Sequence, residues 1–186
     1  YTNIVQSIIN KTLDDNSHGF FNVETSSDLH KFTKKSFLSA TADNQHPYRL
    51  IHTPKQTVWS TRPHKFQEGH KVFLSTTSYY QAFVDDCGMT QSIAFVRCEH
   101  ETEAIALCKV LGHPLYVFLN NICRYGNFNN IRVMQHFPLC RDYDKVYDTF
   151  GLTAEEIKCV TETVKLYHGK IPMAVASSGH KEHVLA

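Results

Sequence analysis

The chain has 186 residues, 42% apolar and 20% charged, enough to bury one sizeable core and too apolar for wholesale disorder. Its formal net charge of +1 does not announce a nucleic-acid partner, and no apolar run approaches the roughly 20 residues of a membrane span. It starts at Tyr1 with no charged-then-apolar leader, so it reads as a piece of a longer protein. The six cysteines, Cys87, Cys98, Cys108, Cys123, Cys140 and Cys159, form no Cys-x-x-Cys pair. They read as reduced, mostly buried thiols of a cytoplasmic protein.

In chain order, Ile4, Val5, Ile8, Ile9 and Leu13 mark one face of a first helix, broken by the polar run 14–19. A short helix is expected over 28–38, anchored by Leu29, Phe32 and Leu38. Residues 48–52 and 57–61 flank a Thr-Pro-Lys-Gln link and suit an antiparallel hairpin. Residues 71–75 and 81–84 give two further strands, with a turn expected over 85–88. Residues 92–96 form a continuous apolar run, the mark of a strand covered on both faces. From residue 101 the apolar period becomes helical, with Ala104, Leu107, Cys108 and Leu111 on one stripe. Helices are then expected over 115–123, 128–136 and 143–150. The last begins at Thr153, with Glu156 completing a capping box and Ile157, Val160, Val164 and Tyr167 as its stripe. The expected fold class is α+β, an antiparallel or mixed sheet in the N-terminal half and a helical C-terminal half. One domain over 1–168 and a loose tail over 169–186 are expected.

The net charge conceals a split. Residues 1–28 carry −3, residues 29–71 carry +6 and residues 72–186 carry −2. Five of the twelve histidines also fall in the basic stretch. Such a block attracts phosphate through counterion release, and it equally suits an ordinary solvated face.

No catalytic constellation accompanies it. There is no Gly-rich phosphate loop, no H-E-x-x-H and no G-x-S-x-G. The pair His180 and His183 lies in the expected tail, and Asp85-Asp86 reads as turn chemistry. No metal site is expected.

Three polar stretches stand out. Ser75 to Tyr80 places six hydroxyl side chains in a row, able to meet phosphates or bases, or to form a polar sheet edge. Met89-Thr90-Gln91 offers a Gln that could pair with adenine or simply be solvated. Residues 124–132 hold two Arg, three Asn and one Gly, suiting either a nucleic-acid loop or an Asn-rich helix cap.

Taken in order, these residues resemble the C-terminal target-recognition region of adenine-N6 DNA methyltransferases of type II restriction-modification systems, including fused methylase–restriction enzymes. The resemblance runs over residues 45–167. It rests on the basic hairpin 48–61, Gly69 to Leu74, Tyr79 and Tyr80, and Gly88 to Ser92. It continues through Glu103-Ala104, Asn129 to Arg132, Phe137-Pro138 and Phe150 to Ile157. It implies that S-adenosylmethionine and the catalytic motif belong to a methyltransferase domain N-terminal to Tyr1, since the chain contains no Pro-Pro. The fragment itself would be non-catalytic and would read double-stranded DNA, so that the catalytic domain acts on an adenine flipped from the stack. Under this resemblance Arg49, Lys55, Arg62, Lys65 and Lys71 are expected on the phosphates. Ser78, Tyr79, Gln91, Asn127, Asn129 and Arg132 are expected at base edges. Two other classes stay open: a protein-interaction or scaffold domain, and a nuclease with an unrecognised site.

Overall fold

The computed structural model describes residues 2–124 and 126–168. Tyr125 and the expected tail over 169–186, with His180 and His183, lie outside the described residues. The architecture is α+β. The elements are α1 (Thr2–Lys11), β1 (Leu38–Ser39), β2 (Tyr48–Thr53), β3 (Gln56–Ser60), β4 (Lys71–Ser75), β5 (Ala82–Asp85), β6 (Gly88–Met89) and β7 (Ile93–Arg97). There follow α2 (Glu101–Leu111), α3 (Pro114–Ile122), α4 (Ile131–Met134), α5 (Val146–Thr149) and α6 (Ala154–His168), with short 3-10 turns between.

The strands form two sheets. One has the order β1-β3-β2-β6, antiparallel except for the parallel β2–β6 pair; the other is antiparallel, β5-β4-β7. Strand β4 is buried along its whole length because both faces are covered. Its Val72 and Leu74 point into the main core, shared with α2, α3 and α6. Its Phe73 points the other way, into a second core with Phe83 and Phe95 from the same sheet and Ile51 and Met89 from the other. Helices, three-stranded sheet and four-stranded sheet therefore make three layers. At β6 the layers are tight: a Cβ on Gly88 would lie 2.7 Å from Leu50 Cδ2 and 2.8 Å from His64 Cβ. That close approach explains the glycine better than the expected turn, which spans only Asp86-Cys87 before β6 begins.

The expected helix over 28–38 is not formed. Leu29 is buried with Leu50 and Val58, while Phe32, three residues on, is 66% exposed. The backbone finds other partners: the Lys31 amide donates to Gln91 Oε1, and Leu38 continues into β1. The helix expected over 128–136 shrinks to α4, and that over 143–150 divides into a 3-10 turn and α5.

The capping box at the start of α6 is present. Thr153 N donates to Glu156 Oε2 at 2.9 Å, and Glu156 N donates to Thr153 Oγ1 at 3.2 Å. The same carboxylate accepts from Ser7 Oγ and from Lys11 Nζ, so it also ties α1 to α6. Between α1 and the sheets an extended segment closes the molecule. Phe21 N donates to Phe137 O, and Glu24 pairs with Phe95 at the edge of β7. All six cysteines are free thiols, five of them buried. Burial pushes Cys98 up to about 11 and Cys108 up to about 12, away from reactivity. Among the described residues no single helix is long and apolar enough to cross a membrane.

Candidate nucleic-acid interface

Two of the three polar stretches meet. Beyond Ser75 the chain leaves β4 and runs beside residues 127–129. Asn129 N donates to Thr76 O at 2.9 Å, Ser78 N donates to Asn127 O at 3.0 Å, and Thr77 bridges Phe128. Ser78 then takes a left-handed conformation (φ 60°), unusual for a non-glycine residue, and costs about 1 kcal/mol to hold. This bend turns Tyr79 outward, 52% exposed. The result is a groove of about 770 Å³ lined by Thr77–Tyr79, Asn121, Arg124 and Gly126–Phe128.

Its walls are fixed from beneath by buried amides. Asn129 Nδ2 donates to Ser75 O at 2.8 Å, and Asn129 Oδ1 accepts from Asn120 Nδ2 at 3.1 Å. Ser75 Oγ donates to Tyr79 O and accepts from Gln81 N, closing the β4–β5 loop. Thr76 Oγ1 donates to Ser92 O. Tyr80 is buried on the core side, its hydroxyl donating to Leu111 O at 2.6 Å. Of six consecutive hydroxyl residues, Thr77, Ser78 and Tyr79 alone line the groove. The others hold it in shape.

The readout residues therefore divide. Ser78, Tyr79 and Asn127 line the groove and are exposed. Arg132 is exposed on α4, just beyond the groove's Asn-rich wall. Asn129 is a correction: it is 5% exposed and its amide is committed to Ser75 and Asn120, so it shapes the wall rather than presenting an edge. Gln91 is also engaged, accepting from Lys31 N and donating to Ser92 Oγ.

The basic stretch divides more sharply. Lys71 is 1% exposed, and its Nζ donates to the carbonyls of Glu68, Gly69 and Cys87. A phosphate cannot reach it, which corrects its expected place. Burial lowers its pKa, although neighbouring acids oppose that shift. Arg49 donates to Asp85 Oδ1 at 2.6 Å, and Asp85 is itself buried. Arg62 forks onto both carboxylate oxygens of Asp28 and lies over the Phe37 ring. The +6 block is thus partly neutralised by acids from the two acidic segments. Lys55, at the β2–β3 tip, and Lys65 remain exposed, with Lys34 and Lys35. Lys65 Nζ lies 5.0 Å over the Phe66 ring.

Position along the sheets matters as well. Lys71 and Ser75 end the same strand, about 13 Å apart at some 3.3 Å per residue, and the groove lies beyond Ser75. Arg49, Asp85 and Lys71 belong to the far end. At the near end a series of contacts runs from the hairpin tip to the groove. His52 meets Thr90 Oγ1 at 2.8 Å, Gln91 holds Lys31 N, and Ser92 holds Thr76. Lys31, Lys55 and the groove therefore share one end of the molecule.

Thr77, Asn121, Arg124, Gly126 and Phe128 line the groove without having been among the expected contact residues. Phe128 carried a signal, a large aromatic inside an Asn-rich run, and it is 67% exposed. Asn121 carried none, because the last turn of α3 reads as apolar helix.

No family model and no curated protein matches the chain. One solved chain, from a study of complex assembly and conformational transition of the type I R-M system, is similar over 80% of this chain and 40% of its own length. The TM-score is 0.41 and the identity 8%. This chain spans under half of that one, and a likeness so remote carries no argument.

Proposed function

We propose that this chain reads target DNA, as the target-recognition region of an adenine-N6 DNA methyltransferase from a restriction-modification system does. One observation carries the reading. Two polar stretches some 50 residues apart in sequence, both marked out by their polar side chains, line a single groove with exposed Ser78, Tyr79 and Asn127. Exposed Lys55, with half-buried Lys31 at the same end, suits the flanking phosphates. Methyl transfer and S-adenosylmethionine belong to a catalytic domain of the same longer protein, and this module presents the correct adenine to it. Type II character and adenine specificity rest on the resemblance alone.

Mobility shift of duplex DNA by the 186-residue chain tests the proposal. Binding should weaken steeply between about 50 and 200 mM salt. Lys55→Ala and Asn127→Ala should weaken it without lowering the melting temperature. If neither this chain nor its longer parent shifts DNA at low salt, the reading fails. Magnesium-dependent cutting by the chain alone would instead favour the nuclease class.

A further inference from the structure

We infer that the groove holds one unstacked nucleotide, rather than lying against the edges of a fully paired duplex. The inference rests on the DNA-reading proposal and narrows it to a ligand.

The groove is a concavity, not a strip. Its volume of about 770 Å³ falls within the range of roughly 300–1,000 Å³ that accommodates small molecules. A fully paired duplex keeps its bases stacked inside, at the floor of its own grooves, and offers no isolated base to fill such a hollow. An extrahelical nucleotide does.

The lining matches the three parts of a nucleotide. Phe128 is 67% exposed and Tyr79 52% exposed, and both rings line the groove. An aromatic ring as exposed as Phe128 beside a polar cavity is a platform on which a single base stacks. Asn127 is exposed on the same wall, while Asn121 beside it already accepts from Asn120 Nδ2. An amide carries a donor and an acceptor side by side, as the edge of an unpaired base does. Arg124 supplies the cation. Its Nε is buried without a hydrogen-bond partner, so an acceptor oxygen reaching it would satisfy a donor the fold leaves open.

The cavity is preset. Ser78 holds its left-handed bend, and Asn129 is locked to Ser75 and Asn120 beneath the wall. A preset cavity spares the ordering cost of closing loops around one nucleotide.

The test compares two duplexes of the same sequence with the 186-residue chain, one fully paired and one carrying a single extrahelical 2-aminopurine. The bulged duplex should bind about tenfold more tightly, and stacking should quench the 2-aminopurine fluorescence. Phe128→Ala should abolish both the preference and the quench. Its melting temperature should be unchanged, because that ring is exposed. Leu166→Ala, exposed on α6, should change nothing. Equal affinities with no quench would overturn the inference while leaving DNA reading intact. Failure of both this chain and its longer parent to bind either duplex would overturn both. Retained preference in Phe128→Ala would also overturn it.

Discussion

At the residue scale, cations of one type serve opposite ends. Lys71, heading an apolar strand, and Lys55, in a hairpin link, were both expected on phosphates, yet one is buried on three carbonyls and the other is exposed. Lys71→Ala should cost about 3 kcal/mol, since three buried acceptors lose their donor, whereas Lys55→Ala should stay within about 0.5 kcal/mol. Urea denaturation separates the two, and equal effects would refute the assignment. Loss of DNA binding in Lys71→Ala would therefore report on the fold. Two histidines give the molecule an acid limit. His64 Nδ1 accepts from Phe66 N, leaving Nε2–H for Ser26 Oγ, and His113 Nδ1 accepts from Leu115 N at the cap of α3. Protonation would place a second proton against each amide. Burial pulls both pKa values from 6.5 to about 4. The unfolded chain then binds more protons across that window, so stability is full above pH 6.5 and falls as pH drops toward 4. Melting temperature against pH should slope downward there, and His64→Gln should flatten part of the slope. A flat wild-type profile would contradict it.

At the element scale, legibility followed coverage. Strands β4 and β7 were readable because both faces are buried and their apolar runs are continuous. Helix α6 was readable from its cap, where Thr153 and Glu156 satisfy orphan amides by local chemistry. The segment over 28–38 was not readable. Its fate depends on Gln91, 60 residues away, taking the Lys31 amide. Glu156 also shows what the cap motif hides. Beyond closing α6 it accepts from Ser7 and Lys11, and these bonds hold its carboxyl below the usual range despite the opposing effect of burial. Glu156→Ala should therefore cost more than a lone cap, about 2 kcal/mol against about 1. Chemical denaturation checks this, with Thr153→Ala as the comparison. Equal losses would mean the α1 contacts add nothing.

At the scale of the whole molecule, splitting the charge located a basic stretch but not a basic face. Asp28 and Asp85 return from the flanking acidic segments to hold Arg62 and Arg49. Pairing across 34 and 36 residues is invisible to any local count. The polar stretches fared better. The β4–β5 loop and the Asn-rich run were both recognised, but their meeting depends on two backbone bonds and a buried Asn pair that no spacing announces. The segment joining α1 to the sheets also bears on how the chain reaches this state. Phe21 waits for Phe137, and Ser7 and Lys11 wait for Glu156, 149 and 145 residues downstream. Loops that long close late, after the sheets have formed their nearer contacts. The N-terminal helix should therefore be absent from the folding transition state. Glu156→Ala should speed unfolding and leave the refolding rate nearly unchanged, so that this contact acts as the latch on the lifetime of the native state.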